Sequence, residues 1–486
     1  MDKEVNCGVV VAGAGNAALS AAVAAAEAGA KVVVLEKAPE HQRGGNTYFT
    51  GDFRFPWATV EDLAPLVPGL SDAEAKGIQE TCRPYSQSDF YDDVMRVTEG
   101  RSDPELLEQL VSQASATMQW MAALGHTWVP SYANPTASMP LALNGGGATL
   151  SDHWFDVAAR KGVEILYDHQ AIELLPNDAG AISGVRVQTP DGYTTFHTKA
   201  VILACGGFEA NAAMRCSYLG QGWDMVKVRG VPFNTGDGLR MAMDVGAWPH
   251  GHWAGCHASP QDLALPEYSL RAGTASAEYS RYAYPFSVMV NLQGKRFVDE
   301  GSDMRTYTYA ATGRAIMNQP QGVAFQLFDR KCEDLLGDYQ RASGGWAKTL
   351  PELANMLGVD SESLVRTIEE YNATVQQGDF NPMRRDGKAT QDLAIPKSNW
   401  AQTIDEPPFY GCAVVCGITF TYGGVRINTK TEVLHTTNRP IPGLYACGEM
   451  VGGIFYVGYA GGSGMTQGSA FGRIAGNEAA RRSLGE

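Results

Sequence analysis

Gly13, Gly15 and Glu36 are the first residues of this chain whose type and spacing could do chemistry. Residues Gly8 to Ala12 form a short apolar run, followed by Gly13-x-Gly15-x-x-Ala18, an alanine-rich stretch, and a second apolar run, Lys31 to Leu35, ending in Glu36. Strand, glycine turn, helix, strand and acid, in that order, make a fold that holds a dinucleotide. Gly13 permits the tight turn, and Gly15 lets the backbone approach a pyrophosphate. The pyrophosphate then sits on the free N–H groups of the helix N-terminus. Ala18, Ala22 and Gly29 read as small residues on the packing face, and Glu36 is placed to accept hydrogen bonds from a ribose diol.

Further glycine loops recur along the chain. Gly44 and Gly45, with Asn46 and Thr47, follow the second strand and suit close approach to a flat cofactor. Asn144-Gly145-Gly146-Gly147 opens a helix for which Ser151 or Asp152 is the expected cap. The apolar run Ala200 to Ala204 ends in Cys205-Gly206-Gly207, and Asn234-Thr235-Gly236-Asp237-Gly238 leads into a helix over 239–245. Gly443 to Glu449 reads as a strand and turn. Gly461-Gly462-Ser463-Gly464 opens a last helix over 466–481, whose N-terminus suits an electronegative cofactor edge.

These loops need a sheet to carry them. Strands are expected over 163–167, 170–175, 182–188 and 193–198, with Pro190-Asp191-Gly192 as a hairpin turn, and amphipathic helix over 104–124. The fold class is α/β, and 486 residues allow two or more domains. A net charge of −15 disfavours nucleic acid and anionic membranes as partners. No apolar run reaches bilayer length, so no transmembrane segment is expected, and MDKEVNC is not read as a signal peptide. Nine scattered cysteines suit a reducing, cytoplasmic setting. Cys412 and Cys416 lack a second pair or a histidine cluster, so no metal site is read and they are expected as buried thiols.

The opening fingerprint, ACGGF at 204–208, NTGDG at 234–238 and YACGEMVGG at 445–453 together resemble the fumarate reductase and succinate dehydrogenase flavoprotein family over almost the whole chain. Within it, RGGNT at 43–47, FNPMRRDG at 380–387, PKSNWA at 396–401 and GITFTYGG at 417–424 are most similar to FAD-dependent tricarballylate dehydrogenases, which oxidise a saturated tricarboxylate to cis-aconitate. The resemblance implies a Rossmann-like FAD-binding domain with a β-meander, residues 1–251 and 410–486, interrupted by an α+β capping domain, 252–409. It implies FAD, held noncovalently, because Asn46 and Thr47 stand where succinate dehydrogenases carry a tethering histidine. The cofactor contacts expected are Gly13, Gly15, Asn16, Ala17, Glu36, Lys37, Gly44, Gly45, Asn46, Thr47, Gly146, Gly147, Ala171, Ala204, Cys205, Gly206, Asn234, Asp237, Gly448, Glu449, Ser463, Gly464 and Met465.

For catalysis the resemblance carries over in part. His257, in CHASP, matches a histidine that binds a substrate carboxylate, and the tract over 294–300 carries Glu300 of a proton relay, with Arg305 near its arginine partner. The arginine that protonates fumarate is expected after Phe328-Asp329, where the chain reads Arg330-Lys331-Cys332-Glu333 in a shifted register. Two histidines of the family give way at Thr419 to Gly424 and a carboxylate-binding arginine gives way at Tyr459, which argues against a fumarate reductase.

The reaction that fits is α,β-dehydrogenation of a small polycarboxylate: hydride leaves for the flavin while a base takes the proton next to a carboxylate or ketone. Arg305 and Glu300 are read as the proton relay, His257, Arg271, Arg281 and Thr419 as substrate-binding, and Tyr459 as facing the flavin, a base if a cation depresses its pKa. A ketosteroid dehydrogenase-like enzyme, with Tyr279, Tyr282, Tyr284, Phe286 and Trp253 lining an apolar pocket, is the second reading. A flavin redox sensor or electron-transfer subunit is the third. With no haem motif or Fe–S cysteine cluster, electrons are expected to leave to a quinone, oxygen or another protein, and the resemblance implies a membrane-bound electron-accepting partner.

Overall fold

Two valine runs bury every side chain, as strands covered on both faces must. A computed structural model describes residues 3–134, 139–269 and 279–485, and in it these runs are β1 (Val9–Ala12) and β2 (Val32–Leu35), parallel and joined through α1 (Asn16–Glu27). Beyond them, α2 (Gly146–Arg160) leads into β3 (Glu164–Leu166) beside β2, and β4 (Ala200–Leu203) lies on the other side of β1. Pro440–Ala446 extends the parallel sheet past β4, and Glu432–Leu434 closes that edge antiparallel. The glycine loops at the C-terminal ends of these strands share one rim of the sheet, where such folds bind ligands.

The meander forms as the turn residues dictate: Ile182–Thr189 and Gly192–His197 pair across Pro190-Asp191, with Gln170–Pro176 alongside. Its fourth strand is Lys3–Asn6, parallel to Gly192–His197. That strand escaped the sequence reading because four largely exposed residues carry no apolar period.

A second sheet is built on two long strands, β5 (Pro249–Asp262) and β7 (Phe409–Val425), with β6 (Val323–Phe328) between them in the chain. Residues 414–425 of β7 pair with β5, and 410–415 pair with β6 on the opposite side. The domain boundaries read from the sequence therefore fall within or at the first residue of continuous strands. This sheet has its own cores on its two faces, one around Met289, Phe328 and Trp400, the other around Leu327, Leu353 and Ile368. Cys412 and Cys416 are buried, free thiols of β7.

The helix of the second lobe that opens on Arg305 is α3 (Arg305–Met317), and the last helix, α4 (Ser463–Leu484), is longer at both ends than its sequence pattern suggested. Along α4, Gly468, Gly472 and Gly476 share the face pressed on α1. A Cβ on Gly472 would lie 2.5 Å from the Ala17 carbonyl oxygen, and one on Gly476 2.2 Å from that of Ala21. Gly29, read as part of this packing face, has open space around its missing Cβ and a φ of +91°, so it turns the chain out of α1 instead. We expect Gly476→Val to force the helices apart at a cost of about 1–3 kcal/mol. Chemical denaturation checks this; unchanged stability would show that the pair separates freely.

Candidate active site

A cleft of about 1030 Å³ runs from the rim of the parallel sheet to the second sheet. Gly13 turns at φ +101°, and a Cβ there would lie 2.5 Å from the Ala204 carbonyl oxygen, so no other residue fits between β1 and β4. Three helices, α1, α2 and α4, start at the cleft behind glycines: Gly15, Gly145 and Gly462. None has a capping side chain or an acid in its first turn. Their combined positive ends suit an anionic dinucleotide. Ser151 and Asp152, expected as the cap of α2, lie inside it, because Gly145 in the left-handed conformation starts the helix earlier.

Most of the expected cofactor residues line this cleft: Gly13, Gly15, Asn16, Ala17, Glu36, Lys37, Gly45, Asn46, Thr47, Gly146, Gly147, Ala171, Ala204, Cys205, Gly206, Asn234, Asp237, Gly448, Glu449, Gly464 and Met465. Two do not. Gly44 packs on Ser151 of α2, and the Ser463 hydroxyl turns back to the Ala460 carbonyl. Glu36 is buried at the end of β2, where burial raises its pKa, and its Oε1 accepts from the Ala38 N–H at 2.8 Å. Lys37 pairs with Asp237 at 2.7 Å. Asn46 and Thr47 bond protein rather than pointing free: Asn46 Nδ2 donates to Glu209 and to the Thr419 carbonyl, and Thr47 Oγ1 accepts from the Asn16 N–H. His169, Gln170, Gln467 and Gly468 also line the cleft and were not read from the sequence, since none lies in a glycine motif.

At the second-sheet end the lining turns aromatic and cationic. His257 is 3 % exposed, its ring edge-on to Tyr309 at 4.8 Å and to Tyr459 at 5.1 Å, and its Nδ1 is buried without a partner. Arg305 opens α3, its guanidinium carbon 4.9 Å from the Tyr282 ring centre and 5.4 Å from that of Tyr309. A cation in the first turn works against the helix dipole, and no acid there offsets it. Arg229 donates to the Phe49 carbonyl at 3.0 Å and reaches Thr419 Oγ1 at 3.5 Å. Neither arginine forms an ion pair among the described residues, and each has a buried Nε without an acceptor. Such groups are costly to bury unless something anionic meets them.

Of the residues read as catalytic or substrate-binding, His257, Thr419, Arg305 and Tyr459 meet here. Others stand elsewhere. Glu300 is buried in the second lobe, bonded to Arg296 at 2.6 Å and to the Met289 N–H at 2.7 Å, with Lys397 at 4.0 Å. Arg281 is buried in an ion pair with Asp262, Arg330 is exposed, and Arg271 lies outside the described residues. Tyr459 is not depressed: burial raises its pKa, and its hydroxyl accepts from the Gly464 N–H at 3.0 Å. Tyr282 is the tyrosine that shifts down; burial pushes it up, but Arg229, Ser259, Ser280 and Arg305 together outweigh that.

Arg229, Tyr309 and Phe420 are the pocket residues that sequence reasoning missed. Tyr309 was within reach, since it follows Arg305 by four residues on one helix face. Arg229 carries no such signal. It stands at the end of a two-residue strand, Lys227–Val228, that pairs with β7.

Burial, with Arg229 adding to it, holds the His257 pKa at about 3, and burial with His153 and Arg160 holds that of His126 at about 3. The unfolded chain protonates histidine near 6.5, so between those values it binds protons that the folded state does not. Stability present at neutral pH is therefore lost as pH falls from about 6.5 toward 3. We expect His126→Gln, off the cleft, to flatten that fall in melting temperature; an unchanged acid profile would remove His126 as its source.

The fold and the cleft define a dinucleotide-binding protein with a cationic, aromatic pocket at the far end of the cofactor cleft. The family model described as "FAD binding domain" matches residues 8–51 and 83–465. A fumarate reductase (cytochrome) from Shewanella frigidimarina is 30% identical over 98% of this chain and 77% of its own length. A urocanate reductase from Eggerthella lenta is 27% identical over 97% of this chain and 74% of its own. The open conformation of a flavocytochrome c3 fumarate reductase superposes with a TM-score of 0.76 at 26% identity, covering 99% of this chain and 79% of that one. The chain belongs to the fumarate reductase and succinate dehydrogenase flavoprotein family and is an FAD-dependent oxidoreductase acting on C=C or CH–CH bonds.

Proposed function

We propose that the enzyme interconverts CH–CH and C=C next to a carboxylate of a small polycarboxylate, of the tricarballylate and cis-aconitate type. The observation that carries this is the pair of guanidinium groups, Arg229 and Arg305, facing the cleft without a carboxylate partner, beside the orphaned His257 Nδ1. Relatives named for fumarate and urocanate, both unsaturated carboxylates, support an anionic substrate.

FAD, held noncovalently by the glycine-walled half of the cleft, supplies the hydride acceptor or donor. Arg229 and Arg305 neutralise the substrate carboxylates and the charge that grows on the acyl oxygen as the neighbouring C–H is broken. His257 is neutral, so it orients a carboxylate by hydrogen bonding rather than by charge. Tyr282 Oη takes the proton in oxidation and returns it in reduction, since the two arginines favour its phenolate. The aromatic wall of Tyr309, Phe420 and Tyr459 excludes water. A quinone or a membrane-bound electron-accepting protein is the proposed electron outlet.

That same wall favours the second reading, a ring-shaped ketone substrate. Anaerobic mixing of the yellow holoenzyme with tricarballylate, succinate and a ketosteroid, followed in the visible flavin band, separates the two. Bleaching by tricarballylate supports the polycarboxylate reading. Bleaching by the ketosteroid alone overturns it, and bleaching by none favours a redox subunit.

A further inference from the structure

Behind the cofactor end of the cleft lie two acids that the reaction above does not use. Glu209 is 0 % exposed, in the loop after β4, and Glu449 lines the cleft just after Pro440–Ala446. Their carboxyl groups are hydrogen-bonded to each other. Glu209 Oε1 accepts from the side-chain amides of Asn46, at 2.8 Å, and Asn234. Its Oε2 is buried and has no donor among the described residues. Glu449 Oε1 accepts from the Thr421 N–H at 2.7 Å and the Thr421 hydroxyl at 3.1 Å. Two carboxylates cannot bond each other without a proton between them, and Glu209 Oε2, having no donor, is where that proton sits.

Among the remaining neighbours, the buried Arg215 carries a positive charge that acts on Glu209, but without a hydrogen bond to its carboxyl group. Arg215 turns its N–H groups to the backbone carbonyls of Glu209, Trp223, Asp224 and Val226, not to the carboxyl group. Cys256 is buried, and burial raises its thiol pKa to about 12, so it stays neutral. Glu449, Asn46 and Asn234 line the cofactor cleft, and Glu209 lies buried behind the two asparagines.

We propose that Glu209 and Glu449 share one proton as a monoanion, and that the pair takes up a second proton from solvent when FAD in the cleft is reduced. Two electrons and one proton would enter the flavin, and a second proton from solvent forms one O–H bond at the pair, on Glu449. Added negative charge in a closed, low-dielectric cleft raises the proton affinity of acids beside it. Burial, with Glu449 beside it, holds Glu209 well above the usual carboxylate range, and burial holds Glu449 above it although the hydrogen bond from Glu209 pulls it down. Glu449 meets the cofactor cleft, and Glu209 acts through it as a positioning residue.

The test needs only the FAD-loaded protein and no knowledge of the substrate. The flavin midpoint potential is measured against pH in the parent and in Glu449→Gln, which removes the carboxylate that takes up the second proton and leaves Glu209 holding the first. The parent should take up two protons per two electrons and the variant one, halving the slope. Equal slopes overturn the proposal. Infrared difference spectra of the parent on reduction, in H2O and D2O, decide it even where the variant loses FAD. A gained carboxylic-acid carbonyl band that shifts in D2O is expected, and its absence overturns the proposal.

Discussion

Arg305→Gln should lower turnover by on the order of 10²–10³-fold while the protein stays yellow and folded. Arg305 stands at the start of α3, half-buried between Tyr282 and Tyr309, with no carboxylate partner among the described residues. Its charge is free to act on whatever anion enters. Glutamine keeps a hydrogen-bond donor but removes the charge that stabilises the transition state, so the loss falls on kcat and kcat/KM together. Removing this cation also lets the Tyr282 pKa rise, so the limb of the pH–rate profile that reports it moves to higher pH. Tyr282→Phe, which leaves both arginines in place, should be as slow. Activity kept in the phenylalanine variant but lost in the glutamine one would move the proton step from Tyr282 to Arg305.

Arg54→Met should destabilise the protein by about 3–5 kcal/mol and slow it as well. The Arg54 guanidinium is buried to 1 % exposure and holds three parts of the chain at once. Its Nε donates to the Gly461 carbonyl at 2.8 Å, Nη2 to Thr306 Oγ1 at 2.9 Å, and Nη1 to the Tyr85 hydroxyl at 2.9 Å, with Asp93 at 3.3 Å. Thr306 follows the arginine of the pocket, and the Gly461 N–H bonds the Thr306 carbonyl at 2.8 Å. Arg54 thus bolts the start of α3 to the loop between Tyr459 and α4. Methionine fills the space but leaves the Gly461 carbonyl, Thr306 Oγ1 and the Tyr85 hydroxyl without their guanidinium donor, and Asp93 with Arg96 and the Tyr85 and Tyr307 hydroxyls. A shift of Arg305 by an ångström then costs turnover in addition to stability. Denaturant melts and kcat on the same sample check both, and a change in neither would show that α3 is held by other contacts.

Nothing in the sequence pointed to Arg54, because its side-chain partners are 31 to 407 residues away. The same holds for Arg229. Arg281 and Glu300 show the reverse error: each sits in a motif that suggests chemistry, yet each is consumed by a local partner, Asp262 or Arg296. A charged side chain's role depends on which opposite charge reaches it first, and only packing settles that. Helix ends were misjudged for a related reason. The caps of α2 and α4 are left-handed glycines, not the polar side chains that pattern reading looks for.

What the chain determined by itself was the cofactor half. Gly13, Gly15 and the later glycine loops act through their own backbone, within a few residues of the strand that precedes them, so spacing alone is enough to read the cleft. The substrate half was decided only in three dimensions. Arg229, His257, Tyr282, Arg305, Phe420 and Tyr459 are joined by the register of β5 against β7, where shifts between His252 and Cys256 and between His257 and Ala258 set His257 opposite Phe420. A bulge re-aims every side chain beyond it, and whether it forms depends on the partner strand more than 150 positions further along.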